Sequence, residues 1–208
     1  MFYKYPRTPH LPWSPGKSRD DHVLNDTNHF EGKELIASIK LDGENTSIYS
    51  NHIHARSINS KDHNSRHWVK SFSSNIKHLI PDGWRICGEN LYAKHSIYYE
   101  DLHSYFIGFS IWDEKNVCLD WNTTIEFFKE IGIIPVTVFS TGDVNEIDKK
   151  FDELFKNKHE GYVIRLADEF KYEDFEKSIA KYVRPNHVQT NKHWMYEEVI
   201  PNQLWKHI

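Results

Sequence analysis

The stretch from residue 34 to 57 constrains the fold most. ELIASIKL, NTSIY and IHARS are short, β-branched runs, separated by Asp42-Gly43 and Asn51-His52. Such runs with tight turn signals between them predict three strands in an antiparallel meander. Lys40 then falls at a strand end beside a glycine turn, where a rigid element holds its side chain well. Further strand candidates follow at 84–91, 104–112, 133–139, 161–167 and 178–184. Apolar steps of 4, 4 and 3 through Trp68, Phe72, Ile76 and Leu79 predict a helix over 65–79. A second helix is expected over 124–131, with Thr123 as cap, Glu126 three residues on and Gly132 as stop. A third is expected near 146–157, with Ile147, Phe151, Leu154 and Phe155 on one face. Residues 168–177 read as a charged turn or short helix. The total is an α+β fold rich in antiparallel sheet.

The chain of 208 residues suits one well-cored domain. Its proline-rich opening, through Thr8-Pro9-His10-Leu11-Pro12, is too restrained for a loose tail and should lie against the body. With 26 basic and 30 acidic residues, the protein has no bulk attraction for phosphate backbones. A nucleic-acid partner would need a local basic groove. Cys87 and Cys118 are too few for a zinc tetrad or a disulfide framework and read as buried thiols. The start is no signal peptide, and no apolar run approaches the ~20 residues of a membrane span. The expectation is an intracellular, cytoplasmic, soluble protein. The tail after Pro185, with Trp194, Tyr196 and Trp205, reads as a polar-aromatic surface. Neither a GxGxxG nor a Walker-type loop occurs, so those phosphate cradles are absent.

Five clusters could carry chemistry. In Lys40-Leu41-Asp42-Gly43, a lysine amine could attack phosphorus if burial or a nearby cation removed its proton. Asp42 could lie near a metal or nucleotide, and Gly43 permits a close turn. Alone, Lys-x-Asp-Gly is more often a solvated hairpin turn. Glu89, ending a strand, could hold a sugar hydroxyl or a metal. Phe106 or Phe109 could stack on a base, or simply fill a sheet core. Glu160, opening the strand GYVIR, could hold Mg²⁺ through oxygen ligands. Lys181 shares a strand face with Ile179 and Val183, so it rather than Arg184 should point into a pocket.

The order of these clusters resembles the covalent nucleotidyltransferase superfamily of RNA ligases, DNA ligases and mRNA capping enzymes. Residues 40–43 match its motif I, Arg56-Ser57 looks like motif Ia, and Glu89 in GENLYAKHSIYY looks like motif III. Residues 105–109 lie at motif IIIa, Glu160 to Arg165 match motif IV, and Lys181 lies in the motif V region. The wording around Glu89 is closest to ATP-dependent RNA ligases. The resemblance covers about 34–185. It implies an antiparallel-sheet nucleotidyltransferase (adenylation) domain of the ATP-grasp-like ligase type. It also implies ATP and Mg²⁺ or Mn²⁺ as cofactors, with Glu160 on the metal. Lys40 would carry a lysyl-AMP, and Lys40 and Lys181 would be catalytic. Asp42, Gly43, Arg56, Glu89, Phe106 or Phe109, Glu160, Arg165 and Lys181 would bind the nucleotide. Of these, Arg56, Arg165 and Lys181 would attract phosphates. The expected substrates are RNA ends or a nicked RNA duplex. Motif V departs from the family pattern, since its second lysine is missing. The short stretch after Arg184 leaves no room for an OB-fold, so a single domain over 1–208 is expected. A lone catalytic module leaves room for a separate RNA-recognition or repair protein. A DNA-nick ligase with the same first step, or a non-catalytic RNA-binding module keeping the fold, are the rival readings.

Overall fold

A computed structural model describes residues 1–155, 159–185 and 198–206 of the chain. Its strands are β1 (Leu35–Ile39), β2 (Glu44–Tyr49), β3 (Ile53–Ala55), β4 (Arg85–Asn90), β5 (Phe106–Trp112), β6 (Val117–Cys118), β7 (Ile134–Pro135), β8 (Val138–Gly142), β9 (Gly161–Leu166), β10 (Phe170–Lys171) and β11 (Ile179–Val183). The helices are α1 (His67–Ile76), α2 (Trp121–Ile131) and α3 (Val144–Phe155).

The strands form two sheets. One runs β11-β9-β1-β8 and is antiparallel throughout; the other runs β10-β6-β5-β4-β2-β3, with β7 pairing parallel to β5. The expected meander is therefore corrected. β1 pairs with β9 and β8, whereas β2 pairs with β3 and β4. Residues 40–43 carry the chain from one sheet to the other. The cause is visible in β1, whose five residues are all buried. A strand covered on both faces belongs inside a sheet with cover on each side.

Alternation along the strands assigns the faces. Leu35, Ala37 and Ile39 pack with Tyr162, Ile164 and Ala180 against Ile147 and Phe151 of α3. Each fully buried Ile or Phe there contributes about 1.5–3 kcal/mol. On the outside of the second sheet, Ile48, Ile86, Phe106 and Ile111 pack against Val69 and Ile76 of α1 and Phe128 and Ile131 of α2. Between the sheets, Ile36 meets Leu91, Ile107, Trp121 and Val136. The order is thus helix, sheet, sheet, helices.

Several local expectations change. The cap of α2 is Asp120, whose side chain accepts from the Thr123 amide. Thr123 itself lies inside the helix, because the carboxylate three residues earlier already serves that N–H. Gly132 ends α2 at φ 75°, in the left-handed region. The 133–139 run is two strands, β7 and β8, which step from one sheet to the other. The first helical region holds α1 between 3₁₀ turns at Asn64–Arg66 and Lys77–Leu79. Leu79 is exposed. Residues 168–177 hold β10 and a 3₁₀ helix, Tyr172–Lys177. Both cysteines are free and buried, and burial raises both thiols, Cys118 to about 11. Trp194, Tyr196 and residues 156–157 lie outside the described residues.

The N-terminal segment docks on the edge of β11. Lys181 donates its amide to Pro9 at 2.9 Å and accepts from Leu11 at 2.8 Å. Leu11 is fully buried.

Candidate active site

The registers bring the charged residues together. Arg165 of β9 stands opposite Ile36 and Ile179, and Val163 opposite Ser38 and Lys181. The Lys40 amide donates to Gly161 at 2.9 Å. Ile36, Ser38, Lys40, Val163, Arg165, Ile179 and Lys181 thereby share the inner face. The second sheet adds Asn45 and Glu89, which pair across β2 and β4, and Phe109 of β5. These residues, with Arg56, Trp121, Val136 and residues 5–8, line a cavity of about 220 Å³ between the sheets.

Lys40 Nζ donates to Glu160 Oε2 at 2.7 Å, with the two side chains 22 % and 6 % exposed. Burial alone would lower the Lys40 ammonium. Glu160 and Glu89 outweigh it and hold the group above the ordinary lysine range. Glu160, bonded to the amine, does most to keep the proton on Lys40. Burial pushes the Glu89 carboxyl up to about 8 against the pull of Lys40, and the charges of Glu160 and Asp42 add to the rise. Lys181 is lowered, by burial first and then by Lys40.

The other expected residues divide. Phe109 lines the cavity, while Phe106 is fully buried against α1 and α2 and does not reach it. A bulge opposite Cys87 and Gly88 interrupts β5, so Phe106 and Ile111 both face outward although five residues apart. Asp42 is not among the lining residues. Its Oδ2 accepts from the Ser96 and Ile97 amides at 2.7 and 2.8 Å, so it tethers the 91–105 loop. Gly43 is needed for close approach: a Cβ would stand 2.6 Å from the Asn90 carbonyl. Its amide donates to Glu89 Oε1 at 3.2 Å. Arg56 is exposed at the cavity edge. Arg165 is only 5 % exposed, donates to the Leu119 and Leu166 carbonyls, and lies over the Trp121 and Phe170 rings. It sits at the end of the cavity away from Lys40, four residues along β1 or about 13 Å.

Tyr5, Arg7, Thr8, Ser38, Asn45 and Trp121 were not singled out in the sequence. The docking of 5–11 on β11 brings the first three in. For Ser38, spacing two before Lys40 on a strand was an available signal.

A family model described as RNA ligase matches residues 33–183. No curated protein matches the chain. An archaeal ATP-dependent RNA ligase, form 1, superimposes at a TM-score of 0.59 and 14 % identity, over 88 % of this chain and 48 % of that one. Form 2 gives 0.55 and 14 %, over 73 % and 43 %. The Naegleria gruberi RNA ligase with PPi gives 0.54 and 18 %, over 76 % and 51 %. This chain spans about half the length of those structures. At such identities they establish a shared mixed α/β fold with antiparallel sheets. No helix among the described residues is long and apolar enough to cross a membrane. With a family model matched across its two sheets and the cavity between them, the chain belongs to the RNA ligase family, within the covalent nucleotidyltransferase superfamily.

Proposed function

We propose that this protein is an ATP-dependent RNA ligase working through a lysyl-AMP on Lys40. One observation carries the reading: the Lys40 amine, the Glu89 carboxyl, Lys181 and the Phe109 ring line one cavity between the sheets, and Glu160 bonds the amine. Lys40, Glu89 and Lys181 give the cavity polar walls, and Ile36, Val136, Ile179 and Phe109 give it apolar ones. That polarity suits a nucleotide with its phosphate at Lys40 and its base beside Phe109 and Val163. The separation between Lys40 and Arg165 is comparable with the length of a mononucleotide. Arg165 therefore belongs with the base end, and Arg56 and Lys181 with the phosphates. The ATP-grasp-like grouping is part of the same proposal.

In the first step, Lys40 releases its proton and the neutral Nζ attacks the α-phosphorus of ATP. An N–P bond forms, the P–O bond to pyrophosphate breaks, and pyrophosphate leaves. AMP next passes to an RNA 5′-phosphate, regenerating the amine. A 3′-hydroxyl then attacks that activated phosphate; a phosphodiester forms and AMP departs. Arg56's planar fork suits paired phosphate oxygens, and Lys181 acts as a point charge. Among the described residues no group of three or more His, Cys, Asp or Glu forms a metal cage. Glu160 and Glu89 nevertheless offer hard oxygen donors of the kind that bind Mg²⁺ or Mn²⁺ alongside water and phosphate. A cation there would neutralise phosphate oxygens and take over the charge that holds the proton on Lys40. Mutants of the Naegleria gruberi RNA ligase have been solved with ATP and Mn and with AMP and Mn, which supports that cofactor pair.

The test uses labelled ATP or GTP with divalent cation, followed by denaturing electrophoresis, and then matched RNA and DNA nicks. Label from ATP alone, with sealing of RNA, is the expected result. Sealing of DNA alone would turn the reading to a DNA-nick ligase. Folded protein that takes up no label would leave a non-catalytic RNA-binding module.

A further inference from the structure

The segment 198–206 lies beyond the family match, which ends at residue 183. Residues 203–206 are exposed, but Asn202 is 1 % exposed. All four of its polar groups reach the 91–105 loop between β4 and β5. Its amide donates to the Tyr92 carbonyl at 2.9 Å, and its own carbonyl accepts from the Tyr105 hydroxyl at 2.8 Å. Nδ2 donates to the Leu91 carbonyl at 2.7 Å, and Oδ1 accepts from the Tyr99 amide at 2.9 Å. Bonds from Lys94 to Ile200, from Gln203 to Tyr99 and from Trp205 to Leu102 extend the contact.

That loop is long and, among the described residues, forms only isolated bridges, at Ala93 and Leu102, both to this segment. Loops of such length in compact domains need an outside reason to hold one shape. Its far side grips Asp42: the Tyr99 hydroxyl accepts the Asp42 amide at 2.9 Å, and the Ser96 and Ile97 amides hold the carboxylate. Asp42 is two residues from Lys40 and adjoins Gly43, which donates to Glu89. A continuous run of direct contacts thus joins Asn202 to the turn that carries the amine.

We propose that residues 200–205 are a clasp on the adenylation site, with Asn202 a positioning residue for Lys40 that acts through the 91–105 loop and Asp42. This rests on the reading of Lys40 as the nucleophile. Losing the clasp leaves the cavity walls in place, so ATP still binds; what suffers is the aim of the amine.

The experiment is a double-variant cycle on the full chain with Asn202→Ala and Tyr99→Phe. It reads single-turnover lysyl-AMP formation at saturating ATP, KM for ATP, and Tm, with rates taken well below each Tm. Each single variant is expected to slow adenylation roughly tenfold, since small misplacement of a reacting group is costly, while KM stays within about threefold. The double variant is expected to be no slower than the slower single one, because both cut the same path. A slowing of less than about threefold in either single variant, or losses that multiply in the double, would overturn the proposal. If Asn202→Ala does not fold, Tyr99→Phe decides alone, since its ring stays in place. Wild-type protein that forms no adduct would instead sink the reading of Lys40.

Discussion

Acidification should weaken this fold through one buried histidine behind the cavity. His10 is 2 % exposed, with Nδ1 2.8 Å from Ser14 Oγ and Nε2 3.5 Å from Asp21. Burial, and then the charge of Lys181, lower its pKa from 6.5 to about 4, against the pull of Asp21. The folded state therefore keeps His10 neutral where the unfolded chain has already taken a proton. A folded pKa below the unfolded one means that stability is complete above about 6.5 and is lost as pH falls toward about 4. At ~1.4 kcal/mol for each pH unit, the loss amounts to roughly 3 kcal/mol, a large part of the stability of a typical domain. Urea unfolding of the wild type and His10→Gln, from pH 4 to 8, measures it. The difference in unfolding free energy should move by about 3 kcal/mol in favour of the wild type as pH rises through this window, then level off. Curves that stay parallel across the range would refute the assignment of a neutral, buried His10.

Glu89 should give the opposite slope. Its carboxyl is raised from 4.5 to about 8, so relative to Glu89→Gln the wild type should lose stability as pH rises between those values, which the same urea series reads. Gly43→Ala should lower stability by about 1–3 kcal/mol and slow adduct formation. The added methyl would meet the Asn90 carbonyl at 2.6 Å and a Leu91 methyl at 2.8 Å; thermal melts at the wild-type Tm would contradict this. Phe109→Ala should weaken ATP binding by about 1–3 kcal/mol, the worth of a stacked base. Phe106→Ala should instead cost about 3–5 kcal/mol of stability with ATP affinity held. ATP titrations and melts of the two variants separate those roles.

Local pattern told what each segment is, and much less about whom it meets. The apolar runs at 35–39 and 161–166 and the helical spacing from Trp68 to Ile76 each marked an element that the fold contains. The Asp42-Gly43 signal marked a bend, but a bend joins any two strands. Only tertiary pairing sends β1 to β9 and β2 to β4. Two-residue strands such as β6, β7 and β10 hold too few side chains to leave a period. The order of motifs singled out Lys40, Glu89, Glu160 and Lys181, and the fold brings these four near one another. The choice between Phe106 and Phe109 was not legible, because alternation sets them on opposite faces without saying which face meets the cavity. The tether at Asp42 was not legible, since a sequence cannot show the Ser96 and Ile97 amides folding back onto it. Arg7 and Thr8 reach the cavity only through the docking of an irregular segment on β11, and Asn202 reaches its loop across a sequence separation of about a hundred residues.

The most direct measurement is the intact mass of the protein after incubation with ATP and Mg²⁺, with peptide mapping of any product. One adenylyl group on Lys40, absent from Lys40→Ala and removed by added pyrophosphate, is the result expected. An unmodified mass in folded wild-type protein, or an adenylyl group mapped to another residue, would contradict the central assignment.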